Sequence, residues 1–338
     1  MKTIRLKQPG QFEWLDLEQQ LTLQENEALV KVHRIGVCGT DIHAYAGKQP
    51  FFSYPRILGH ELGVEVIEVP ENSFAIHPGD FCAVEPYLNC GKCSACQRNK
   101  PNCCENIQVM GVHTDGGMRE YVKVPIHKLH PSKKLSLEQL ALVETLGIGA
   151  HAVSRAGVSS EDVVLVIGAG PIGLSAIEFV KIAGAEVVVM DISEDRLGFC
   201  RQVLGVQNTV NASYEPVEQL KSVLGGELPT VVLDATGNPK SMMGAFEYVA
   251  FGGRMVYVGL FQGDITFHDP YFHKKELTLM GSRNALPQDF KNIIGWMEEG
   301  RLDTRPWITH QASFEDTLQA FPAWTQPANN VIKAMICL

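Results

Sequence analysis

Val163-Val164-Leu165-Val166-Ile167-Gly168-Ala169-Gly170-Pro171-Ile172-Gly173 joins a β-branched apolar run to glycines spaced Gly-x-Gly-x-x-Gly. An apolar run without polar alternation marks a strand covered on both faces of a parallel sheet. Ile172, Ala176, Phe179 and Ala183 follow at helical spacing, so the glycines lie at a strand-to-helix turn. There they permit a tight turn and the approach of a pyrophosphate to free N–H groups at the positive end of a helix. Gly168, Gly170, Pro171, Ile172 and Gly173 are therefore candidate dinucleotide contacts.

Working outward, Glu186 to Asp191 reads as the next strand, ending in an acid 18 residues past the last glycine. Asp191 is placed to accept from adenosine ribose hydroxyls and to repel a 2′-phosphate, which predicts NAD over NADP. Arg196 falls near the adenine. Val231–Asp234, Gly253–Gly259 and Leu277–Gly281 continue the rhythm of a doubly wound parallel sheet. Residues 1–36 and 63–84 instead read as strands of a mainly β region.

Within that region stand Cys38-Gly39-Thr40-Asp41-Ile42-His43 and Leu58-Gly59-His60-Glu61. A thiolate and an imidazole with carboxylates beside them suit zinc in a catalytic position, where one coordination place stays open. Glu144 lies among Ala141, Leu142, Val143 and Leu146, in a stretch from 137 to 152 that reads as one helix. A carboxylate in so apolar a setting needs a partner, which makes Glu144 the candidate third ligand.

Cys90-x2-Cys93-x2-Cys96-x7-Cys104 is the strongest single signal. Four thiolates at this spacing close a tetrahedron around a structural zinc. An iron–sulfur run would have x3 and a proline around its fourth cysteine, whereas Glu105 follows Cys104. Cys103 is an alternative fourth ligand by spacing alone.

At 338 residues and 45% apolar content, two cores are expected. A net charge of -9 and no basic run argue against nucleic acid or an anionic membrane as partner. No apolar leader or membrane-length span is visible, so a cytoplasmic protein is expected. In such a reducing compartment the five cysteines from Cys90 to Cys104 read as metal ligands, not disulfides.

With these residues assembled, the whole chain resembles the zinc-dependent medium-chain alcohol dehydrogenases, particularly the polyol (sorbitol-type) branch. The resemblance implies an α/β protein with a GroES-like catalytic domain (1–147 and 284–338), a Rossmann NAD-binding domain (148–283) and an active site between them. It implies two zinc ions per chain: a catalytic one on Cys38, His60 and Glu144 with Glu61 as alternate or outer ligand, and a structural one on Cys90, Cys93, Cys96 and Cys104. It further implies that zinc acidifies a substrate hydroxyl, that NAD+ takes the hydride, and that Thr40 and His43 pass the proton to solvent, with Asp41 behind the zinc histidine. A homo-oligomer, dimer or tetramer, belongs to the same implication. Where sorbitol-type enzymes carry a pocket tyrosine this chain has Ala44, with Tyr45 next. The stretches Gln49–Arg56, His273–Glu276 and Gly281–Ala285 resemble sugar-acid dehydrogenases of the L-galactonate type. That directs attention to Arg283, then Lys274 and Arg56, as holders of a substrate carboxylate. A neutral polyol dehydrogenase and a non-catalytic NAD-sensing relative are the alternatives.

Overall fold

The computed structural model describes residues 1–18, 22–49 and 52–338; Pro50 and Phe51, part of the first sugar-acid stretch, lie outside the described residues. The chain divides into two compact units, Met1–Thr145 with Leu286–Leu338, and Leu146–Ala285.

The first unit is built on a seven-stranded sheet in the order Ile308–Ser313, Lys333–Cys337, Glu27–Val37, Glu61–Glu68, Phe81–Val84 and Leu129–Pro131, with Tyr121–Pro125 also pairing Glu27–Val37. Its pairs are antiparallel except Ile308–Ser313 with Lys333–Cys337. Alternating residues such as Val30, Val32, Val64, Val66 and Ile336 fill the core. The C-terminal strand enters beside Glu27–Val37, so the end of the chain is an inner element of this sheet.

The second unit is a six-stranded, wholly parallel sheet in the order Asn208–Asn211, Glu186–Asp191, Val163–Ile167, Val231–Asp234, Arg254–Tyr257 and Thr278–Gly281. Numbered along the chain this is 3-2-1-4-5-6, whose switch point lies beside the first strand. Val164, Leu165 and Val166 have no exposed surface, as an uninterrupted apolar run requires.

The segment from 137 to 152 is two helices, not one. Leu137–Ala141 opens with a capping box from Ser136 and Gln139 and ends at Leu142, whose ψ of 0° leaves the helical path; Val143–Ala156 then starts afresh. The break places Glu144 in a first turn, next to free N–H groups that favour an acid. No helix among the described residues is long and apolar enough to cross a membrane.

Candidate active site

Cys38 caps the short helix Gly39–Tyr45 at its N-terminus, and Asp41 folds back so that its Oδ2 accepts from Cys38 N at 2.9 Å. His60 immediately precedes the strand Glu61–Glu68. Strand pairing sets Gly36 opposite Glu61, and any Cβ on Gly36 would overlap Glu61 Oε2, so only glycine leaves room for that carboxylate. Through these elements one ligand atom each from Cys38, His60 and Glu61 come within 4.8 Å of one another.

The third residue of this group is thus Glu61, the alternate ligand of the sequence reading, and Glu144, its expected third ligand, is not among the three. Glu144 is buried nearby, close enough to His60 for their charges to interact, but its Oε1 accepts from the Tyr87 hydroxyl at 2.5 Å. Glu61 has a partner of its own: buried Lys333 donates to Oε1 at 2.7 Å and Oε2 at 2.8 Å, and to Thr145 Oγ1 at 3.2 Å and Val37 O at 3.3 Å.

Burial favours a neutral Glu61, but Lys333 first and His60 next hold its carboxyl below the usual range. Burial pushes Glu144 and Asp41 upward. For His60, burial opposes the charge, yet Asp41 and then Cys38 hold the ring well above its ordinary value. Burial first and Glu144 next push the Tyr87 phenol well up, which keeps it a donor. Asp41, Glu61 and Glu144 are all buried beside Cys38, and among the described residues Lys333 alone of the lysines and arginines bonds to them. So anionic a pocket suits a divalent cation, and a thiolate, an imidazole and a carboxylate are a zinc donor set. Buried His60 Nδ1 and Asp41 Oδ1, 3.8 Å apart, have no hydrogen-bond partner among the described residues. A carboxylate behind a histidine is the arrangement that orients a metal-bound imidazole. The residues fit the metal.

The second cluster is Cys90, Cys93, Cys96 and Cys104, again with Sγ atoms within 4.8 Å; Cys104 is buried and Cys103 exposed. Backbone N–H groups of Lys92 and Cys93 hold the Cys90 thiol down to about 6, and those of Cys96 and Glu105 lower Cys93, while burial pushes Cys104 up to about 11. Preformed N–H donors around thiolates suit a closed zinc site.

In the second unit, Gly168–Gly173 leads from Val163–Ile167 into the helix Pro171–Ile182. A Cβ on Gly173 would overlap Gly168 O, while one on Gly170 would meet open space. This loop can therefore turn tightly and leave its outer face clear, a cradle that fits a pyrophosphate. Asp191 closes onto it: Oδ2 accepts from Ala169 N at 2.7 Å and Oδ1 from Ser193 N at 2.8 Å. Arg196 Nη1 donates to Ala169 O at 3.3 Å.

Thr40 is half-buried and His43 exposed, both on the Cys38 helix. Arg283 and Lys274 are exposed in the second unit; neighbouring Lys275 is buried, donating to Val249 O at 2.5 Å. Arg56 is engaged by Asp115 at 3.4 Å and Ser53 at 2.8 Å. Tyr45 packs with Phe12 and Phe321 in the core. Lys333, Thr145 and Tyr87 went unread in the sequence; a lone lysine in Val331-Ile332-Lys333-Ala334-Met335-Ile336 was the available signal for the first.

The chain matches the alcohol dehydrogenase GroES-like domain over residues 24–134 and the zinc-binding dehydrogenase family over 171–299. It is 41% identical to the L-galactonate-5-dehydrogenase of Escherichia coli K12, over 99% of this chain and 98% of that protein. The crystal structure of E. coli CFT073 RspB, an alcohol dehydrogenase complexed with NADH, superposes with a TM-score of 0.92 at 29% identity, over 100% of this chain and 99% of that one. Galactitol-1-phosphate dehydrogenase from E. coli gives a TM-score of 0.91 at 28% identity, with 100% of both chains covered.

Proposed function

Because the chain belongs to the zinc-type medium-chain alcohol dehydrogenases, we propose that it transfers hydride from a secondary hydroxyl of a sugar acid, an aldonate of the L-galactonate kind, to NAD+. The observation that carries the reading is the convergence of half-buried Cys38 with buried His60 and Glu61, beside the further buried acids Asp41 and Glu144. Likeness to L-galactonate-5-dehydrogenase along nearly the full length supports the substrate class. When bound, zinc supplies Lewis acidity toward the substrate hydroxyl and NAD+ supplies the hydride acceptor.

Cys38 and His60 hold the metal, Asp41 orients His60, and Glu61 and Glu144 are the two carboxylates available beside them. Thr40 and exposed His43 carry the hydroxyl proton outward. Cys90, Cys93, Cys96 and Cys104 hold a second zinc that fixes their loop. Gly168, Gly170, Pro171, Ile172 and Gly173 cradle the pyrophosphate, Asp191 accepts from ribose hydroxyls, and Arg196 borders the adenine. Arg283, whose planar fork suits a carboxylate, is first choice to hold the acid group, with Lys274 second.

Zinc-replete protein offered L-galactonate, L-gulonate, L-idonate, sorbitol, galactitol and L-threonine, with NADH followed by absorbance, tests the reading. Aldonates are expected to lead, and Arg283→Ala to raise their KM about 10-fold or more, as loss of a charged hydrogen bond implies. Preference for neutral polyols, with no change on Arg283→Ala, sinks the sugar-acid assignment. For the cofactor, Asp191→Ala is expected to weaken NAD about 10- to 100-fold, on the order of two lost hydrogen bonds to a charged acceptor, with NADP changed far less. Equal loss for both cofactors refutes the role of Asp191.

A further inference from the structure

Tyr87 is almost wholly buried, with 3% of its surface exposed, and no part of the zinc or dinucleotide assignment uses it. It lies on the two-residue strand Tyr87–Leu88, paired with Gln108–Val109. These two strands bracket the loop of the four cysteines, and Cys90 follows Tyr87 by three residues. The phenol ring is braced edge-on by Phe290, with centroids 6.3 Å apart and planes at 77°. Phe290 in turn stacks flat on His130 at 4.9 Å, and His130 Nε2 faces Glu85 Oε2 at 3.2 Å, while Lys128 pairs with the other Glu85 oxygen. The ring therefore sits in a wall that polar bonds and close packing both hold.

From that wall the hydroxyl reaches Glu144 Oε1 at 2.5 Å, the one hydrogen bond Glu144 accepts through its side chain among the described residues. Glu144 stands at the start of a helix on a long, rotatable side chain, so its direction depends on what holds it. Glu61 differs, since Lys333 holds both of its oxygens. One bond on Oε1 holds the Glu144 carboxylate, whose charge reaches His60 and Glu61, and leaves Oε2 outside the bond to Tyr87.

We propose that Tyr87 is a positioning residue that aims Glu144 at the metal centre, with Phe290 as its brace. The proposal rests on the reading of Cys38 and His60 as metal ligands. Partners of this kind around a metal site typically change metal affinity or activity 10- to 100-fold when removed.

The test is Tyr87→Phe in the full chain, which removes the hydroxyl and keeps the ring. Two readouts besides turnover are taken: the rate at which a colorimetric chelator withdraws zinc, and the visible absorption of cobalt-exchanged protein, which reports ligand geometry. Chelation of the Cys38 zinc is expected to speed up about 10- to 100-fold, the cobalt bands to shift, and kcat to fall more than KM changes. In a Glu144→Gln background the same substitution is expected to add less than about twofold, because a positioning residue acts through its partner. Additive effects, or wild-type cobalt bands and chelation in Tyr87→Phe, overturn the proposal. Should Tyr87→Phe not fold, Phe290→Leu is expected to give the same signatures at smaller amplitude, and wild-type values there overturn it equally. If the unmutated protein binds neither zinc nor cobalt beyond the four-cysteine site, the metal-centre reading itself falls; if it binds both and Tyr87→Phe matches it, only the role of Tyr87 falls.

Discussion

Cys38→Ser is expected to cut turnover by about a thousandfold or more while NAD still binds. A hydroxyl replaces the soft thiolate that a borderline-soft cation prefers, and the pocket keeps one imidazole and carboxylates already engaged by Lys333 and Tyr87. Three decades of rate correspond to about 4 kcal/mol, within what Lewis acidity toward a hydroxyl supplies. The candidate NAD contacts all lie in Leu146–Ala285, whereas Cys38 lies in the other unit. Cofactor titration by calorimetry is therefore expected to match the unmutated protein. Turnover surviving in Cys38→Ser removes this residue from the metal.

The second large effect is on stability. Lys333→Met leaves Glu61 buried with its charge no longer matched by the ammonium that bonds both its oxygens. Breaking a buried ion pair from one side costs about 3–5 kcal/mol, whereas replacing both partners with apolar groups is often neutral. In metal-free protein the melting point is therefore expected to fall by about 6–20 °C, and Glu61→Leu added to Lys333→Met to recover most of it. Added zinc narrows the deficit, since a divalent cation beside Glu61 substitutes for the ammonium. The pH range follows from the two shifts. Lys333 and His60 hold Glu61 below its ordinary 4.5, so its contribution is present above 4.5 and lost as pH falls through the lower folded value. Burial works against the Lys333 charge, but Glu61 and then Cys38 raise it above 10.5, so its contribution is complete below 10.5 and lost only as pH rises through the higher value. The pair acts at full strength between those limits, whereas in Lys333→Met burial pushes the Glu61 carboxyl above 4.5, so the deficit is expected to grow as pH rises from 4.5 toward that raised value, and a deficit that does not change with pH contradicts this account.

The strand, glycines and helix at Val163–Ile182 could be read from sequence because each signal is local: a covered strand, a tight turn and an amphipathic face lie within one short window. Asp191 was legible for the same reason, by its distance from the glycines. The cysteines carry most of their partnership in their spacing, and only the choice between Cys103 and Cys104 is left to the fold, which buries Cys104 in the cluster. The centre around Cys38 was legible only in part. Which of two carboxylates converges with Cys38 and His60 depends on the pairing of Gly36 with Glu61 and on the break at Leu142, neither of which has a sequence period. Lys333 meets Glu61 across 272 positions, and Tyr87 meets Glu144 across 57. No local pattern predicts which polar residues a sheet and a helix bring together at such separations. Tyr45, which follows Ala44 in sequence, packs its ring against Phe12 and Phe321, contacts that no local pattern announces.

The strand that carries Lys333 lies inside the first sheet although it comes at the far end of the chain. During synthesis residues 146–285 emerge with every strand of their own sheet and can close as a unit, as domains generally do. The half that holds Cys38, His60 and Glu61 was made earlier but must wait, with an inner strand missing and Glu61 unmatched, until residue 333 leaves the ribosome. The order of birth and the order of completion are thus reversed. A nascent chain arrested short of that strand has a finished nucleotide-binding half and an exposed, unfinished metal-binding half, which chaperones and proteases can recognise.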